Sequence, residues 1–234
     1  MKIIRRIIFI IALLVFIGSA GYLGLHYFEG QQTENAFRQL TVDGGHDLAA
    51  LHEQNPDIVG WIKIDDTRVD YPVMWTPDNP EFYLRRNFQK EDSVAGTPFL
   101  DAASTMPGSS NWLIYGHNMK NGTMFHDTLK YEDKAFYDGH KTIHFDTLEG
   151  EGLYEIVAVC YTQIYEENAQ VFKYYQYASI VDEASFDAYV QGVKALSIYD
   201  TGVTPVWGDQ LITLSTCEYS VEDGRFIIVA RKVQ

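Results

Sequence analysis

Residues 209–231, DQLITLSTCEYSVEDGRFIIVAR, restrict the fold more than any other stretch of the chain. Residues 210–216 are rich in β-branched and apolar residues, and 226–230 are almost wholly apolar, so both have the composition of interior strands. Only 218–224 separate them, and Asp223-Gly224 is a turn signal. A chain that ends this way builds its core on a sheet, with Cys217 where the first strand runs out.

Strand period places Leu211, Thr213, Ser215 and Cys217 on one face and Ile212, Leu214 and Thr216 on the other. If the two strands pair antiparallel, Arg225 at the start of the second comes close to the Cys217 sulfur. A cation there favours thiolate over thiol and can meet an oxyanion formed in acyl transfer. The same stretch is equally what a buried, inert cysteine beside a rim arginine would give.

The rest of the chain supplies more strands than helices. Segments 58–64 and 68–74 form strands around an Asp65-Asp66-Thr67 turn, and 97–100, 111–115, 141–145 and 153–162 read as further strands. Short helical turns are expected at 79–86, 125–129 and 134–137. A helix over 182–197 has an apolar stripe and Asp182 as its cap. Helices at 34–40 and 47–55 are expected to pack outside the core. The pattern is mostly β, a barrel or closed sandwich decorated by helices.

The amino terminus is a separate unit. After Lys2, Arg5 and Arg6, residues 7–25 are uncharged over 19 positions, enough at ~1.5 Å each to cross a ~30 Å hydrocarbon core. Basic residues on one side only put the amino terminus in the cytoplasm and the remainder outside. A cleavable signal ending at Gly18-Ser19-Ala20 is the rival reading. The apolar character continues through Tyr22, Leu23 and Leu25, which favours an anchor. The boundaries expected are a cytoplasmic tail and transmembrane anchor over 1–28, a stalk over 29–45 and one folded domain over 46–234.

The 32 acidic side chains outnumber the 18 basic ones, three of which precede the apolar run. A surface so acidic excludes nucleic acid as a partner. The two cysteines, Cys160 and Cys217, show no metal-type spacing, and the residues alone leave open whether they are bridged or free. A cysteine nucleophile needs an imidazole partner. Of seven histidines, only His117, in LIYGHN, combines a strand end with a preceding glycine that permits close approach. His126 sits on a helical turn and His144 reads as a sheet-face residue.

LIYGHNMKNGTMF at 113–125, TLSTCEYS with GRFIIVAR at 213–231, and the more diffuse NPDIVGWIKIDDTRVDYPV at 55–73 together resemble the sortases, class B in particular. The resemblance implies a closed eight-stranded β-barrel with peripheral N-terminal helices and a helix before the cysteine strand. It implies Cys217 as nucleophile, His117 as acid/base and Arg225 as the oxyanion partner, with Tyr115, Ser215 and Glu218 as supporting neighbours. It implies no cofactor and no metal. The partners would be secreted proteins bearing a C-terminal sorting signal of Asn-Pro-x-Thr-Asn or Asn-Pro-x-Thr-Gly type, a peptidoglycan amine, and membrane lipid around the N-terminal helix. A pilin polymerase, an exported cysteine peptidase and a noncatalytic surface module are the competing readings.

Overall fold

The computed structural model describes residues 2–41 and 45–234. Met1 of the expected cytoplasmic tail and residues 42–44 of the expected stalk lie outside the described residues. The first helix, α1, runs from Lys2 to Arg38. The helix read separately at 34–40 is therefore the end of the same helix that carries the apolar run. Its segment Ile3–Gly24 is long and apolar enough to span a bilayer.

α2 covers Leu48–Gln54, capped by Asp47, whose carboxylate accepts from the Ala50 amide at 3.0 Å. Both helices are peripheral to the barrel, as expected, and they are packed on it rather than free of it. Phe37, Leu40, Leu48 and Leu51 are buried in the same apolar cluster as the barrel strands, with Phe37 edge-on to Tyr71. Apolar side chains spaced on one helical face gain from water exclusion wherever they meet a partner, and here that partner is the sheet.

Eight strands follow: β1 (Ile58–Lys63), β2 (Asp70–Met74), β3 (Phe99–Leu100), β4 (Asn111–Tyr115), β5 (Thr142–Thr147), β6 (Leu153–Gln163), β7 (Leu211–Cys217) and β8 (Gly224–Lys232). They close into a barrel in the order β1-β2-β3-β4-β7-β8-β6-β5, with β5 returning to β1. This resolves the choice between barrel and sandwich, and it leaves no sheet edge open. Pairs β2–β3 and β4–β7 are parallel and the others antiparallel.

α3 (Lys134–Gly139) precedes β5, and α4 (Glu183–Leu196) lies in the connection from β6 to β7. Asp182 caps α4 by accepting from the Ser185 amide at 2.9 Å. Phe186, Tyr189, Val190 and Val193 of α4 pack with Leu113, Cys160, Leu211, Ile227 and Val229. A helix can lie only on the outside of a closed barrel, so these strand residues face outward. Their neighbours Ile114, Ile212, Leu214, Phe226 and Ile228 belong to the other cluster and face the lumen. The strands at β7 and β8 are apolar on both faces because both faces are covered.

Candidate active site

The parallel register of β4 on β7 pairs Tyr115 with Ser215, and the antiparallel register of β7 on β8 pairs Cys217 with Arg225. Gly116 extends the first ladder, donating to the Ser215 carbonyl at 3.1 Å. Continued past that pair, the same register brings His117, just beyond β4, to the level of Cys217 at the end of β7, with Arg225 on β8 beyond it. Strand alternation continues the outward row Leu211, Thr213, Ser215 to Cys217. It opens into a cleft of about 610 Å³ lined by Leu84, Tyr115, His117, Ser215, Cys217 and Arg225, among others.

Glycine is required beside His117 for space. A Cβ at Gly116 would lie 2.5 Å from the Phe125 ring. The His117 carbonyl accepts from the Phe125 amide at 2.9 Å, which pins the strand end from the other side. The imidazole Nε2 lies 2.9 Å from the Leu84 carbonyl. A carbonyl only accepts, so Nε2 carries a proton and Nδ1 is the nitrogen left for exchange. Burial pushes the His117 pKa below the ordinary histidine value and the Arg85 charge adds to that, while the Leu84 carbonyl opposes both.

Arg225 is tethered by its own turn: Nη1 donates to the Gly224 carbonyl at 2.9 Å and the Asp223 carbonyl at 3.2 Å. The turn is tight because Asp223 takes a left-handed conformation, φ 53°, and a Cβ at Gly224 would meet the Glu218 carbonyl at 2.5 Å. Nη1 spends both its hydrogens there, leaving the Nε and Nη2 donors of the guanidinium.

Cys217 is a free, half-buried thiol, whereas Cys160 is free and fully buried. Cys160 donates to the Val193 carbonyl at 3.3 Å, and burial pushes its thiol up to about 12. It is an inert core residue, and the two cysteines are not bridged.

The supporting residues divide. Tyr115 donates to Asp101 at 2.9 Å, and burial raises its phenol so that it stays neutral. The Ser215 hydroxyl pairs with that of Tyr174 at 2.7 Å. Both residues line the cleft. Glu218 turns its carboxylate back onto the amide and hydroxyl of Ser220, within its own loop. Sequence reasoning missed Leu84 because its contribution is a backbone carbonyl, which no side-chain pattern marks. It passed over Asn118, whose side chain donates to the Cys217 carbonyl at 2.9 Å, and set His126 aside as sitting on a helical turn; sequence proximity to His117 was the signal for both. Among the described residues no group of three His, Cys, Asp or Glu side chains could hold a metal ion.

The family model of the sortase domain matches residues 62–233. Sortase B of Listeria monocytogenes is 33% identical over 240 residues, 96% of this chain and 94% of the relative. The chain belongs to the class B sortases. Among solved structures, this sortase is similar to Clostridium perfringens sortase B, with a TM-score of 0.71 and 28% identity over 80% of this chain and 100% of that one. It is also similar to a Staphylococcus aureus sortase B–substrate complex, with a TM-score of 0.69 and 28% identity over 80% of this chain and 84% of that one. As a sortase the chain is a cysteine transpeptidase, and its eight-stranded barrel is the sortase fold.

Proposed function

We propose that this sortase cleaves a C-terminal sorting signal of Asn-Pro-x-Thr-Asn or Asn-Pro-x-Thr-Gly type after Thr and transfers the acyl group to a cell-wall amine. The observation that carries the reading is that His117, two residues past the end of β4, lines one cleft with Cys217 and Arg225, which are paired across β7 and β8. The Staphylococcus aureus relative has been solved as a substrate complex, which supports a substrate-binding role for a barrel of this kind.

Cys217 gives its thiol proton to neutral His117, and the thiolate attacks the Thr carbonyl carbon, forming the C–S bond and moving charge to the carbonyl oxygen. The free Nε and Nη2 donors of Arg225 meet that oxygen while Nη1 stays on the turn carbonyls. Collapse breaks the C–N bond, and His117 as imidazolium gives the departing amine its proton. The thioester then receives the incoming amine, whose proton passes to neutral His117 as the C–N bond forms and the thiolate leaves. The depressed His117 pKa favours both halves, in each of which the imidazole begins neutral.

The apolar segment Ile3–Gly24 would hold the enzyme in the membrane, with the amino terminus cytoplasmic and the barrel outside. The test is incubation of the full chain in detergent with sorting peptides and candidate amines, read by mass spectrometry. Peptide joined to amine is expected from the wild type, and none from Cys217→Ala. Hydrolysis alone in the presence of every amine would make the enzyme a peptidase, and turnover by Cys217→Ala would end the reading.

A further inference from the structure

The backbone ladder between β4 and β7 stops one residue short of the chemistry. Its last bond is from the Gly116 amide to the Ser215 carbonyl, and no backbone bond joins His117 to Cys217. Two side chains carry the pairing onward. The Thr216 hydroxyl donates to the Gly116 carbonyl at 2.7 Å, and Asn118 Nδ2 donates to the Cys217 carbonyl at 2.9 Å. Asn118 is 9% exposed, and its Oδ1 lies 2.7 Å from His126 Nδ1.

The orientation of that carboxamide follows from chemistry. The Cys217 carbonyl only accepts, so the Asn118 atom facing it is the NH₂, and Oδ1 is left to accept from His126. His126 must then carry its proton on Nδ1, in either charge state. The Tyr219 hydroxyl also donates to the Asn118 carbonyl at 3.3 Å, tying the loop after the cysteine to the same residue.

We propose that Asn118, oriented by His126, is a positioning residue that fixes the Cys217 end of β7 at the level of His117. The inference rests on the sortase chemistry proposed above. Displacements of about 1 Å at a reacting centre can cost about a hundredfold in rate. The Thr216 hydroxyl, the Tyr219 hydroxyl on the Asn118 carbonyl and the pairing of Cys217 with Arg225 on β8 also act at this level, but among the described hydrogen bonds Asn118 alone holds the Cys217 carbonyl from the β4 side.

The experiment is steady-state cleavage of a sorting peptide by the full chain in detergent. Asn118→Ala should lower kcat about tenfold or more, with KM for the peptide changed less than about twofold. His126→Ala should lower kcat in the same way, and His126→Gln, whose amide can still donate to Oδ1, should recover most of it. The double variant Asn118→Ala/His126→Ala should be no slower than Asn118→Ala, because His126 acts only through the carboxamide. Multiplicative effects of the two substitutions, or an unchanged kcat in Asn118→Ala, overturn the proposal. If Asn118→Ala does not fold, the His126 pair decides: equal loss in His126→Ala and His126→Gln counts against it. Alkylation of Cys217 by iodoacetamide needs no peptide, so it stands even if the proposed sorting reaction is wrong. Asn118→Ala and His117→Ala should slow alkylation alike, and wild-type reactivity in Asn118→Ala would again overturn the assignment.

Discussion

His117 is the residue whose environment makes the sharpest demands. Burial and the nearby Arg85 lower its pKa, so the folded chain holds it neutral where an unfolded chain, with a histidine value of about 6.5, takes up a proton. The unfolded state therefore binds more protons below that value. The stability contributed by keeping His117 neutral is present above pH ~6.5 and is lost as pH falls through the window just beneath it. An NMR titration of the His117 ring should give a midpoint below 6.5, and Arg85→Glu should move it upward. A wild-type midpoint at or above the ordinary value would contradict the burial argument. Next to it, Gly116→Ala places a methyl group into the Phe125 ring, and overpacking of that kind costs about 1–3 kcal/mol. Because the displaced strand end carries His117, activity should fall by more than the loss in thermal stability accounts for. Urea unfolding and peptide turnover on the same sample would separate the two effects.

Among the elements, α4 lends packing to the barrel wall that carries the site while contributing no residue to the lining of the cleft. Its four buried side chains share the outer apolar cluster with β6, β7 and β8, and the Tyr189 hydroxyl pairs with that of Thr213 on the outward row that ends at Cys217. Phe186 is fully buried there and edge-on to Trp207, so Phe186→Ala should cost about 3–5 kcal/mol in urea unfolding. A loss below about 1 kcal/mol would mean that the helix is not part of the cooperative core. These elements were legible because their signals are local. Residues 112–115 carry an unbroken apolar run within β4, and Asp182 marks the start of α4 by its capping chemistry. The alternation along 211–217 likewise places Cys217 on the face that opens outward. What was not legible is pairing across distance. The parallel β4–β7 register, which sets His117 beside Cys217, joins residues about a hundred positions apart and leaves no mark on either segment. The partners of Phe37 and Leu40 were not legible for the same reason, since an apolar helical face does not say what will cover it.

For the whole molecule, an apolar helix at one end and a strongly acidic barrel at the other set the geometry of use. Charges on the chain sum to −14, and the three basic residues of the amino terminus, Lys2, Arg5 and Arg6, precede the uncharged run 7–25 and so lie on its far side from the barrel. An acidic domain is repelled from anionic lipid surfaces within a Debye length of about 8–10 Å, so the barrel should stand off the membrane. The two free cysteines provide a test of this arrangement in intact cells. Cys217 is half-buried at a cleft and Cys160 is 0% exposed, so a membrane-impermeant maleimide should label the folded chain once, at Cys217. Labelling should disappear in Cys217→Ala and persist in Cys160→Ala. If instead the wild type is labelled only after the cells are lysed, the barrel faces the cytoplasm and the proposed orientation is wrong. Label on both cysteines before lysis would mean that the outer cluster packed by α4 opens in the native protein, contrary to the burial of Cys160 beneath Val193.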